Sequence, residues 1–118
     1  MSNVKLLRGD IVLTKFPFTD LSSFSVRPAL VVSNGLIGED IVLIAISSVV
    51  RGIILASTDF ILPTTHPDFL PTGLKVSSVL RTHKLFTVHY SVIVRRLGFI
   101  SSNVQLEVYK LLHFVLSL

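Results

Sequence analysis

The chain has no cysteine and no tryptophan, and only 15% of its residues are charged. Without cysteine there can be no disulfide framework, no zinc–thiolate site and no thiol nucleophile. A chain of 118 residues manages without such staples, because it buries roughly two-thirds of the surface its unfolded form exposes. The cytoplasm is the default compartment. Also missing is an apolar run of about 20 residues, the length that spans a bilayer. The longest, Ile41–Val50, is closed by Arg51 after ten residues. The N-terminus MSNVKLLRGD has no apolar core of signal-peptide length, so no membrane partner is expected. P-loop, GxGxxG and HExxH patterns are absent, and so is a GxSxG elbow around Ser47. Four histidines (His66, His83, His89, His113) are scattered without metal-ligand spacing, with His83 and His89 left open as a pair. Neither a metal nor a cofactor is expected.

What the chain does have is apolar residues, 50% of the total, with a mean hydropathy of +0.73. That is high for one small domain, and a subunit interface is the first place to put the excess. The net charge of +4 is unevenly spread. Residues 1–68 carry −1 and residues 69–118 carry +5, with no carboxylate between Phe69 and Leu106. Such asymmetry suits a polyanionic partner, most simply nucleic acid, or else a merely solvated basic face.

The apolar pattern is mostly that of strands. Asp10–Phe18 is rich in β-branched and aromatic residues, Thr19–Ser25 is polar and turn-like, and Pro28–Ser33 reads as a strand opened by its proline. After the Asn34-Gly35 turn, Ile41–Ser48 is a continuous apolar run of strand length, buried on both faces. Gly52–Leu62 reads as a further strand, Pro63–Gly73 as an irregular loop, and Lys75–Arg81 as a strand. Short strands or turns follow at Leu85–Val88 and Ser91–Arg96. Ser102-Asn103-Val104-Gln105 fits a capping box, and Val104, Val108, Leu111, Leu112 and Val115 repeat at helical spacing. These elements predict one domain spanning residues 1–118, a small and mostly β barrel with a C-terminal α-helix.

Four segments in this order, RGDIVLTKFPFTD, VRPALVVSN, IVLIAISS and LRTHKLF, resemble the MazF/PemK family of bacterial toxins. The resemblance runs from Arg8 to about Gly98, and the family too has a C-terminal helix. It implies a small SH3-like or CcdB-like barrel of α+β class, mainly β, usually a homodimer. It implies the toxin of a type II toxin–antitoxin module, held inactive by a cognate antitoxin and touching operator DNA only through the antitoxin complex. The implied activity is metal-independent cleavage of single-stranded RNA. The family's catalytic arginine precedes the proline that opens the second strand, which places it at Arg27. Its partner, a Thr or Ser ending the central strand, falls on Ser47. Ser48, Arg51, Lys75, Arg81, His83 and Lys84 are the expected RNA contacts. An acid or histidine that some relatives carry near the arginine is missing; Thr19–Val26 offers only Asp20, and the general base is unassigned. Two alternatives share the fold: a gyrase-inhibiting toxin and an inactive or DNA-associated relative.

Overall fold

The computed structural model describes residues 5–17, 24–49 and 55–118. Arg51, Phe18 and Asp20 lie outside the described residues, as does the start of the strand expected from Gly52.

Six strands form one antiparallel sheet, followed by a helix. The strands are β1 (Asp10–Pro17), β2 (Phe24–Val31), β3 (Asp40–Ser48), β4 (Asp59–Leu62), β5 (Ser78–His89) and β6 (Ile93–Phe99), and the helix is α1 (Ser102–Leu116). Their order across the sheet is β4-β5-β3-β2-β1-β6. The chain is therefore mainly β with one C-terminal helix, as the sequence predicts. Among the described residues no helix is long and apolar enough to cross a membrane.

Both faces of the sheet are apolar, so strands such as β3 read as continuous hydrophobic runs. On one face Ile11, Leu30, Ile44, Ile46 and Leu80 pack beneath Val104 and Val108 of α1. On the other, Val12, Ala29, Val31, Ile41 and Leu43 form a second core with Ile93, Phe86 and Val88. This second core exists because the sheet coils on itself. Following the register, Phe16 and Phe86 would lie about 25 Å apart in a flat sheet with ordinary strand spacings. Their rings are 5.0 Å apart. A register shift helps the coiling: β5 carries three extra residues between Arg81 (opposite Ala45) and Leu85 (opposite Ile44). Such bulges bend a strand and tighten its twist.

Several boundaries differ from the sequence pattern. β2 begins at Phe24 because all of Phe24–Leu30 pairs with β1, so Arg27 lies within a strand and not at the end of a loop. β5 is one strand of 12 residues, joining the two short pieces expected at Lys75–Arg81 and Leu85–Val88 through the bulge. The helix cap is Ser101, not Ser102. The Ser101 hydroxyl accepts from the Val104 N–H at 3.2 Å and donates to Asp68 at 2.8 Å, while the Gln105 amide donates to the Tyr109 hydroxyl.

The segment ahead of β5 is pinned to β6 backbone against backbone. A Cβ on Gly98 would lie 2.1 Å from the Pro71 carbonyl oxygen, and one on Gly73, where φ is +74°, only 2.2 Å from that of Leu97. Thr72 staples the same turn, donating to the Phe69 carbonyl at 2.6 Å and accepting from the Leu74 N–H. Gly98→Ala is expected to lower stability by about 1–3 kcal/mol or more, read as a reduced urea midpoint at unchanged m-value.

Candidate functional site

The site is set by where β2 and β3 stop pairing. β2 is bonded to β3 only over Ala29–Val31, opposite Ala45, Ile44 and Leu43. Yet β2 continues back to Phe24 against β1, and β3 continues to Ser48 against β5. The reason is Pro28. The Val32 N–H bonds Val42 of β3, while the Val31 carbonyl faces Gly9 on the β1 side. Backbone groups alternate sides along a strand, so position 28 faces β3, and its register partner there is Ile46. Proline has no N–H to give. The ladder ends, and the strands part around a fork.

Arg27 and Ser47 stand on the two prongs. The same register carried one step further sets them opposite each other, on the face that holds Thr14 (opposite Arg27) and Val79 (opposite Ser47). Arg27 is exposed and Ser47 half-buried. The Ser25 hydroxyl, two residues earlier on that face, is buried without a hydrogen-bond partner.

A cavity of about 330 Å³ opens at this fork. Its walls are Leu13, Val26, Pro28, Ile46 and Leu97, and its far side is the pinned segment Gly73–Val76. Arg27, Ser48, Lys75, Ser78 and Arg95 supply its polar groups. The lining contains three cations and no carboxylate. The structure thus brings together Arg27, Ser48 and Lys75 of the expected residues. By strand alternation, Ser47 belongs to the opposite face from Ser48. Arg95 was not foreseen: only the register that sets it opposite Leu13 brings it to the cavity.

Other expected contacts lie elsewhere. Arg81 is bound to Asp59 through both carboxylate oxygens, at 3.1 and 3.2 Å, and the Asp59 side chain is only 1% exposed. This pair ties β4 to β5; removing either partner of a buried pair strands the other and costs about 3–5 kcal/mol. His83 joins that network, with Nδ1 3.0 Å from the Thr58 hydroxyl and 3.8 Å from Asp59. Lys84 is exposed on the β5 bulge and does not line the cavity. His83 and His89 do not converge, since His89 is bonded to Glu39 and Ser91. Among the described residues no group of three or more His, Asp or Glu side chains is placed to hold a metal. Phe16 and Phe86 pack on each other.

The described residues thus form a coiled six-stranded sheet with a C-terminal helix and a cationic fork beside its second strand. The family model of PemK-like, MazF-like toxins of type II toxin–antitoxin systems matches residues 7–116, and the chain belongs to that family. No curated protein matches the sequence. Among solved structures, the MazE–MazF complex from Deinococcus radiodurans is similar, with a TM-score of 0.76 at 17% identity over 98% of this chain and 99% of that one. MazF from the same organism gives 0.73 at 20% identity, covering 98% and 100%. An endoribonuclease in complex with its cognate antitoxin, from a mycobacterial species, gives 0.67 at 18% identity, covering 96% of each chain. At these identities the likeness is one of fold.

If Pro28 is what opens the fork, Pro28→Ala should extend the β2–β3 ladder by one bond. The new amide at position 28 is then expected to be protected in hydrogen exchange, and the fork to narrow.

Proposed function

We propose that this toxin is an endoribonuclease that cleaves single-stranded RNA by internal attack of a ribose 2′-hydroxyl. The observation that supports the reading is the cavity beside Arg27, lined by three cations and no carboxylate, at the point where β2 and β3 stop pairing. In the reaction the 2′-oxygen bonds to the adjacent phosphorus and the P–O5′ bond breaks. The products are a 2′,3′-cyclic phosphate and a 5′-hydroxyl. The phosphorane between them carries extra negative charge, and a guanidinium fork can bind two of its oxygens at once. Arg27 is assigned that clamp. Ser47 is assigned a further hydrogen bond to the same charge. A charged donor set aimed at the transition state is worth most when preorganised, and Arg27 sits within a paired strand rather than on a loop. Arginine stays protonated, so Arg27 is not the base that accepts the 2′-hydroxyl proton.

Ser48 and Lys75 are assigned to positioning the RNA, a role that fixes register on the backbone. The same reading gives the toxin a cognate antitoxin as partner, with operator DNA bound only through that complex, and makes the free toxin a homodimer. Leu106, Phe114, Leu116 and Leu118 on and after α1 are exposed, and apolar side chains left in water there are available to a partner.

Arg27→Ala is expected to abolish cleavage of single-stranded RNA, and Ser47→Ala to lower kcat by about 10²-fold, the loss typical of one removed transition-state donor. Cleavage should persist in EDTA and both variants should keep the wild-type circular dichroism spectrum; full activity of Arg27→Ala would refute the assignment. By light scattering the free protein is expected at twice its chain mass of 13.0 kDa.

A further inference from the structure

Most basic side chains near the core are already committed. Arg81 is held by Asp59, Arg96 by Asp10 at 3.0 Å, and Lys110 by Glu107. The Arg8 guanidinium donates to the Val32 carbonyl and lies over Tyr109. Lys75 and Arg95 make no ion pair among the described residues, and both line the same cavity. No acid shares it. Two cations left without a carboxylate at one apolar cavity favour an anion with an apolar body.

The rest of the cavity says what body. Its walls, Leu13, Pro28, Ile46, Leu97 and Val76, are aliphatic, and its volume lies within the range of about 300–1,000 Å³ usual for small-ligand sites. Two acceptors face it. The Ser78 hydroxyl donates to the Val76 carbonyl at 2.8 Å, which leaves its oxygen to act as an acceptor. The Ile46 carbonyl, on the register derived above, points at Pro28 and meets no N–H on β2. A flat ligand with N–H donors on its edge and an attached phosphate matches these features, and a nucleotide is such a ligand.

The geometry points to a nucleotide seat beside the cleavage site. One unstacked base enters the aliphatic box, with its amino edge toward the Ile46 carbonyl and Ser78. Its phosphate is bound by Arg95 and Lys75. Arg95 is therefore a substrate-binding residue, and the box holds a nucleotide next to the one at Arg27. This inference rests on the ribonuclease reading for its substrate, but its test does not need cleavage.

The test uses the full-length protein and a short, mixed-sequence 2′-O-methyl RNA, which lacks the attacking hydroxyl. Binding is followed by fluorescence anisotropy over a series of KCl concentrations. Arg95→Gln is expected to weaken binding about tenfold, the equivalent of one charge-assisted contact. It should also lower the slope of log K against log salt by about 0.7, the value for one phosphate on a single strand. Arg95→Lys should restore the slope, and Lys110→Gln, on the exposed face of α1, should leave affinity and slope unchanged. A nucleoside monophosphate should displace the RNA better than ribose 5-phosphate. Equal displacement would overturn the base-binding half of the proposal, and a wild-type affinity and slope for Arg95→Gln would overturn the whole. If wild type cleaves natural RNA while Arg95→Gln binds normally, the seat fails and the nuclease stands. If wild type binds through Arg95 but does not cleave, the nuclease fails and the seat stands.

Discussion

The site depends on one missing hydrogen-bond donor. Position 28 faces β3, where every other residue of β2 would add to the ladder, and proline there has nothing to donate. One lost backbone bond is worth only about 1 kcal/mol in net stability. Its geometric effect is larger. Beyond Ala29 and Ala45 each strand stays paired on its outer side only, β2 to β1 and β3 to β5. The prongs are held from outside and unbonded within. Polar side chains can then occupy the end of a sheet whose middle is mostly apolar, without breaking the core.

The same constraint explains why the fork is rigid enough to serve as a site. Its far wall is not a free loop. The close approaches of Gly73 to Leu97 and of Gly98 to Thr72 fix it to β6, the strand that carries Arg95. Lys75 and Arg95 thus hang from one rigid unit, and Arg27 and Ser48 hang from the two prongs. The Asp59–Arg81 pair plays a comparable part on the face opposite the cavity, locking β4 to β5 two register steps from Ser47. Charge is divided in that way: Arg81 and Arg96 are bound to acids and hold strands together, while Lys75 and Arg95 make no ion pair among the described residues and line the cavity.

Much of the fold was legible in the sequence, because burial on both faces leaves a plain mark. Ile41–Ser48 differs from β3 by one residue, and Val104 and Val108 are the buried residues of α1, as their spacing requires. Elements defined by pairing and not by apolar pattern were harder to read. Phe24–Arg27 is a strand because β1 lies beside it. The β5 bulge interrupts the alternation at Thr82–Lys84, so one strand reads as two. Ser101 and Ser102 are equivalent caps by sequence. Asp68, 33 residues from Ser101, decides between them. The candidate site divides along the same line. Arg27 and Ser47 were singled out by the family resemblance of their motifs, and Lys75 lies in the acid-free stretch; of these, Arg27 and Lys75 line the cavity. Arg95 carries no local signal that separates it from Arg96. Only the β1–β6 register shifts send Arg95 to the cavity while Arg96 pairs with Asp10.

The apolar excess of the sequence is now partly accounted for. Two cores, one under α1 and one inside the coil of the sheet, take up most large aliphatic side chains of β1, β2 and β3. A flat sheet with one helix would have needed only the first. What remains outside among the described residues includes Leu106, Phe114, Leu116 and Leu118 on and after α1, Leu36 and Ile37 in the β2–β3 connection, and Leu70 and Val76 ahead of β5. The cavity shares Ile46 with the core under the helix, but it is bounded by Gly73–Val76 and β6, and no residue of α1 lines it. A partner that covered the end of α1 would therefore not block the cavity by occupying it. An antitoxin that silences the toxin must do more than cover grease. With cleavage assigned to the fork as proposed, it must either extend from the helix end to the fork or move the prongs that carry Arg27 and Ser47.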